Sequence, residues 1–120
     1  MASYILLVDD NSDLSDNLKL ILELEGLRVR VASSGSDALR AIDEELPSVI
    51  VADVVMPVAN GYDLFTEVKA NAAYAAIPFI FLSALTTAED VNRGLKMGAD
   101  AYITKPFVIA DLLTTIHHYL

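Results

Sequence analysis

The chain has no cysteine among its 120 residues, so neither a disulfide framework nor a thiolate metal site can hold it together, and a reducing compartment suits it. Cytoplasm is the expected location. No apolar run approaches the ~20 residues that cross a bilayer. Met1-Ala2-Ser3 leads directly into a short apolar run that two acids end, so no signal peptide and no membrane contact are expected. Basic residues are also scarce: eight Lys and Arg stand against seventeen Asp and Glu, a net charge of −9. Sequence-independent binding to nucleic acid needs cations to neutralise phosphates, so direct nucleic-acid binding is not expected. Cations and basic protein surfaces are the expected ligands. No self-similar period runs through the chain.

What is abundant is apolar sequence, 54% of residues against 21% charged. A chain of this length is expected to form one domain, residues 1–120, around one sizeable core. Uninterrupted apolar runs fit a parallel sheet covered on both faces.

Those runs have a common ending. Tyr4-Ile5-Leu6-Leu7-Val8 stops at Asp9-Asp10, Val49-Ile50-Val51-Ala52 at Asp53, Phe79-Ile80-Phe81-Leu82 at Ser83, and Ala101-Tyr102-Ile103-Thr104 at Lys105-Pro106. Leu27 to Val31 alternates as a half-exposed edge strand does. Between the strands the apolar spacing becomes helical. Ser12 or Asp13 is the expected cap of a first helix with Leu14, Leu18, Ile21 and Leu22 inward and Gly26 as its stop. Ser34 or Ser36 starts a second, with Ala38, Leu39 and Ile42 inward, which ends before Pro47. Met56 to Gly61 reads as loop, and Tyr62 to about Asn71 as a third helix with Leu64, Phe65 and Val68 inward. Thr87 with Asp90 resembles a capping box for a fourth helix through Val91, Leu95 and Met97 to Gly98. Phe107, Leu112, Leu113 and Ile116 mark a fifth. Strands alternating with helices predict an α/β fold with right-handed crossovers and a parallel sheet.

In such a sheet, ligands gather outside the carboxyl ends of the strands. Three acids there demand an explanation, because two unit charges about 4 Å apart repel by roughly 4 kcal/mol at an effective dielectric near 20. Asp9 and Asp10 have an ordinary role open to them as helix caps. The run after Asp53 delays the next helix, which weakens that role for Asp53. Together the acids ask for a cation, and hard oxygen donors without His or Cys favour Mg²⁺, with Mn²⁺ as a substitute, and phosphoryl chemistry. Lys105 reads equally as a counter-ion to Asp53 or as a contact to a phosphoryl oxygen. Ser83 can cap a turn or donate to such an oxygen, and Tyr102 can be a plain core aromatic. His117 and His118 sit in a solvated C-terminal turn and are given no chemistry.

As an ordered set, Asp9-Asp10, Asp53-Val54-Val55-Met56-Pro57 with Gly61, Ser83-Ala84 and Lys105-Pro106-Phe107 resemble the receiver domain of two-component response regulators, along essentially the whole chain. The resemblance implies a flavodoxin-like (βα)5 three-layer sandwich of strand order 2-1-3-4-5. It implies Asp53 as phosphoacceptor from a histidine kinase or histidine phosphotransfer protein, so the chain is a signalling phosphoacceptor and not an enzyme in the ordinary sense. Mg²⁺ would be held by Asp10, Asp53 and the backbone carbonyl of Val55, with Asp9 direct or through water. Lys105 and Ser83 would bind phosphoryl oxygens. Ser83 and Tyr102 would form a switch that alters the surface of the fourth helix, fifth strand and fifth helix toward a downstream target or output domain. A phosphorylation-linked dimer is left open. The Lys105-Pro106 bond would be cis.

Two positions depart from fast-hydrolysing relatives. Val55 and Leu85 place apolar groups where such relatives carry polar ones that steer the attacking water, so a long-lived aspartyl phosphate is expected. Rival readings are weaker. A dehalogenase-type phosphatase needs a second Asp where Val55 stands, and a flavin phosphate would be repelled by Asp9 and Asp10. A receiver-like interaction module without phosphorylation is the alternative that the fold alone permits.

Overall fold

The computed structural model describes residues 4–56, 60–85 and 87–120. Five strands and five helices alternate in the order β1 (Ile5–Val8), α1 (Ser12–Leu24), β2 (Val29–Ala32), α2 (Gly35–Glu44), β3 (Val49–Ala52), α3 (Gly61–Ala70), β4 (Phe79–Ser83), α4 (Ala88–Met97), β5 (Ala101–Thr104) and α5 (Ile109–Tyr119). All pairings are parallel, in the order β2-β1-β3-β4-β5. This is the flavodoxin-like arrangement.

The apolar runs are uninterrupted because the sheet is covered twice. Side chains along a strand alternate between faces, and the two cores follow that parity. Leu6, Val8, Ile50, Ala52, Phe79 and Phe81 pack with α2 and α3, in a core that also takes in Tyr62, Phe65 and Tyr102. Ile5, Leu7, Val49, Val51, Ile80 and Leu82 face the other way, toward Leu18 and Leu22 of α1 and Leu112 and Ile116 of α5. The first core is rich in aromatic rings, with Phe65, Phe79 and Phe81 in mutual contact. The second is almost wholly aliphatic.

Helix ends follow local chemistry, with some revisions to the sequence reading. Asn11, not Ser12 or Asp13, caps α1, its side chain accepting from the Leu14 amide. Ser34 caps α2. Asn60 and Asp63 make a complete reciprocal box at α3, a pairing the sequence reading missed. At α4, Thr87 accepts from the Asp90 amide, but the Asp90 carboxylate takes the Thr87 hydroxyl proton instead of a backbone amide. Gly26 and Gly98 follow α1 and α4 with φ of 87° and 111°, the left-handed conformation that glycine adopts without cost.

Leu14 and Ile21 are exposed, 46% and 38%, against the inward stripe expected of them. Ile21 is one helical step of about 100° from buried Leu22 and is carried off the sheet. Leu95 of α4 is likewise exposed, and the buried residue of that helix is Gly94. Phe107 lies two residues before α5, packed beside it. Of the expected loop from Met56 to Gly61, residues 57–59 lie outside the described residues, as do residues 1–3 of the N-terminus.

Candidate functional site

Val8 of β1 is in register with Ala52 of β3, so the next residues, Asp9 and Asp53, leave the sheet side by side. Their amides still belong to the ladder, Asp9 donating to the Ala32 carbonyl at 3.1 Å and Asp53 to the Val8 carbonyl at 2.9 Å. Both side chains are buried. Lys105 follows β5, where Ser83 pairs with Thr104, and its amide donates to the Ser83 carbonyl at 2.7 Å. From there its ammonium donates to Asp9 Oδ2 at 3.0 Å and Asp53 Oδ2 at 3.1 Å. Strand parity explains the meeting: continued one step, the alternation sends Asp9, Asp53 and Lys105 to the α1–α5 side.

Asp10, in the bend that follows β1, is exposed, and among the described residues no three acidic or histidine side chains stand together as a metal-binding group. Of the three expected acids, Asp9 and Asp53 are joined through Lys105.

The two inner carboxylates are held by more than the lysine. Asp9 Oδ1 accepts from the Asn11 amide at 2.9 Å and Asp53 Oδ1 from the Val55 amide at 3.0 Å. One cation thus faces two anions, with a third acid adjacent in the chain. Burial pulls the Lys105 ammonium toward losing its proton, but the hydrogen bonds and charges of Asp9 and Asp53 outweigh this and hold it above the ordinary lysine range. Lys105 stays cationic at any physiological pH.

Fixing Asp53 in place is Gly61, whose role the sequence did not disclose. Its amide donates to the Val54 carbonyl at 2.8 Å, drawing the start of α3 under the acid. A Cβ at Gly61 would stand 2.2 Å from the Asp53 carbonyl oxygen. Backbone cannot give way as a flexible side chain does, so this position excludes any side chain.

Ser83 and Tyr102 lie on the opposite, aromatic face. Ser83 is fully buried and its hydroxyl accepts from the Leu85 amide at 3.2 Å. Tyr102, opposite Phe81 in the ladder, donates its phenolic proton to the Leu85 carbonyl at 2.7 Å. Burial raises the Tyr102 phenol above the usual range, with the Ser83 hydroxyl opposing. Both side chains are therefore tied to the same residue, Leu85. The Lys105-Pro106 bond is cis, and Pro106 and Phe107 join Leu14, Ala84 and Lys105 around a groove beside the acids. Val55 is 54% exposed. His117 and His118 are exposed in the last turn of α5.

A 2-1-3-4-5 sheet with buried acids and a lysine at its switch point defines an α/β protein of the flavodoxin-like class with an ionic site. Within that class the chain belongs to the response regulator receiver domain family, whose model matches residues 5–117. It is 36% identical over 118 residues to the response regulator SaeR of Staphylococcus aureus, a match covering 98% of this chain and 50% of that protein. The chain spans about half the length of the curated relatives it matches. Among solved structures, the chemotaxis protein CheY4 of Vibrio cholerae superposes with a TM-score of 0.91 at 29% identity, each chain covered in full. The signal receiver domain of a histidine kinase from Syntrophus aciditrophicus gives 0.90 at 35% identity, covering 99% of this chain and 90% of that one. The chain is a receiver domain of the two-component type. No helix among the described residues is long and apolar enough to cross a membrane.

Proposed function

We propose that Asp53 accepts a phosphoryl group from the phosphohistidine of a kinase or phosphotransfer protein. The supporting observation is the shared ammonium: Lys105 bridges Asp53 and Asp9 at 3.1 and 3.0 Å, leaving an anionic surplus beside a buried nucleophile. An Asp53 oxygen attacks phosphorus as the phosphorus–nitrogen bond to histidine breaks, yielding an aspartyl phosphate and the freed imidazole. Catalysis is mainly positioning and charge neutralisation. The Val55 amide and Lys105 orient the attacking carboxylate. Lys105 and the Ser83 hydroxyl serve the transferred oxygens.

The donor set suits a hard divalent cation. Each inner carboxylate oxygen has one hydrogen-bond partner, and a carboxylate has about four acceptor positions, so lone pairs remain. Asp10, Asp53 and the Val55 carbonyl would hold Mg²⁺ or Mn²⁺, with Asp9 direct or through water. The bound ion would neutralise the charge that gathers on the phosphoryl oxygens.

Phosphorylation would act through Ser83 and Tyr102 on the surface of α4, β5 and α5, which meets a downstream target or output domain or a second copy of the chain. Val55 and Leu85 place apolar groups beside the acceptor, so its phosphate is long-lived. The test is beryllium fluoride with Mg²⁺, read by NMR, together with phosphotransfer from a kinase panel. A spectral response lost in Asp53→Asn is expected. A response unchanged in Asp53→Asn overturns the assignment in favour of a phosphorylation-independent interaction module. Loss of label within seconds in Mg²⁺ overturns the slow-hydrolysis reading alone.

A further inference from the structure

Gly94 is the seventh residue of the ten-residue helix α4 and the one buried residue in it. Glycine inside a helix is unfavourable relative to alanine, so its presence there needs a packing reason. That reason is Tyr102. A Cβ at residue 94 would lie 2.7 Å from Tyr102 Cδ2 and 3.1 Å from both Tyr102 Cε2 and Phe81 Cδ2. Phe81 cannot yield, because it is fully buried and edged by Tyr62, Phe65 and Phe79. Tyr102 is only half-buried, so it is the neighbour that can give way. Any side chain at 94 would therefore expel the Tyr102 ring and break its hydrogen bond to the Leu85 carbonyl.

We propose that Gly94 is a positioning residue that seats Tyr102 beneath α4, so that the helix and the ring move as one unit. Arg93, the neighbouring residue, adds a second tie: its guanidinium lies 4.3 Å above the Tyr62 ring, clamping the same helix to the start of α3. Beneath that clamp the Tyr62 hydroxyl is buried without a hydrogen-bond partner, the one such side-chain atom among the described residues. The corner is held by shape and by cation–π attraction. Its consequence for signalling rests on the receiver reading. Through Leu85 the seated ring is connected to Ser83, so a change at the phosphoacceptor would reach α4 by way of Tyr102.

A double-mutant cycle on the full chain tests the seating without Mg²⁺ or a phosphoryl donor. Unmodified protein is expected to show NOEs between the Gly94 Hα protons and the Tyr102 ring. Gly94→Ala is expected to lose that contact and to lower Tm. In a Tyr102→Ala background the same change is expected to lower Tm by less than in the parent or to raise it, since only the 3.1 Å approach to Phe81 Cδ2 remains and alanine is the better helix former. Tyr102→Thr, a strand former, replaces Tyr102→Ala if that variant fails to fold. An equal change of Tm in both backgrounds, or a ring that still touches residue 94 in Gly94→Ala, overturns the proposal. These readouts do not involve Asp53. A beryllium fluoride response that survives Asp53→Asn would sink the phosphoacceptor reading and leave the Gly94 cycle standing.

Discussion

The two ends of the sheet treat polar groups in opposite ways. At the amino ends of the strands, two arginines each have a carboxylate of their own: Arg28 makes a two-pronged contact with Glu45, both bonds at 2.8 Å, and Arg30 meets Glu44 at 2.7 Å. The Tyr4 hydroxyl lies against the carbonyls of Ala41 and Glu45, Lys69 donates to those of Ala75 and Ile77, and the Asp100 carboxylate takes the Phe79 amide. At the carboxyl ends one ammonium serves two buried acids, and the Tyr62 phenol has no hydrogen-bond partner among the described residues. One end is matched for stability. The other keeps an imbalance that a ligand can relieve, which is how a binding site differs from a well-packed surface.

The largest blow to the functional end is expected from its backbone and not from its charges. Gly61→Ala places a methyl 2.2 Å from the Asp53 carbonyl oxygen, and overpacking of this kind costs about 1–3 kcal/mol or more. Urea unfolding will show the loss. The variant's beryllium fluoride affinity will fall with it, because Asp53 must move to make room.

Lys105→Met comes next. It leaves two buried carboxylates facing each other; breaking a fully buried pair costs 3–5 kcal/mol, and the partial exposure here reduces that to about 1–3 kcal/mol. Added Mg²⁺ will raise the Tm of the variant more than that of the parent, since the ion takes over the missing positive charge. The pH dependence has a definite sign. Lys105 holds its proton above the ordinary lysine value, so its contribution is fully present below about pH 10.4 and is lost as pH rises through the folded value. In Lys105→Met that part of the alkaline decline will be missing.

Much of this was legible beforehand. Apolar runs that end at Asp9, Asp53, Ser83 and Lys105 show where strands stop, and a parallel sheet brings those stops to one edge. Strand parity puts Asp9, Asp53 and Lys105 on one face, and it does not reach Asp10, which stands in the bend beyond β1. Gly61 reads as part of the Asp53 motif but without a role, and Gly94 is not singled out, for a different reason. Their importance is the absence of a side chain where another part of the chain passes, and that passing backbone or ring is distant in sequence. The Asn11 cap was missed because Asn, Ser and Asp all cap well and three such residues stand in a row.

The comparison sharpens on two tyrosines. Tyr4 and Tyr62 are both nearly inaccessible, and burial raises both phenols above the usual range. Among the described residues, Tyr4 has hydrogen-bond acceptors and Tyr62 has none. Tyr4→Phe leaves two carbonyls with one partner fewer and will cost about 1 kcal/mol. Tyr62→Phe removes an unpaired hydroxyl and will leave stability unchanged or raise it by up to about 1 kcal/mol. Equal losses in the two variants would erase the distinction drawn between the ends of the sheet.

The smallest effect belongs to the matched end. Arg28 and Glu45 are open to solvent, with side-chain exposures of 53% and 41%, whereas Lys105 and Asp9 stand at 17% and 9%. The guanidinium holds the Glu45 carboxyl below the usual carboxylate range, so the pair contributes above the ordinary glutamate value of about 4.3 and fades as pH falls through the lower folded value. Its geometry is good, yet mobile ions reach it from every side and exposed pairs contribute little. Arg28→Ala will lower Tm slightly in dilute buffer and not at all in 1 M salt, while the loss in Lys105→Met will persist in both. A pair that keeps its effect in concentrated salt would show that the matched end, too, is shielded from solvent, and the contrast between the two ends would then rest on charge balance alone.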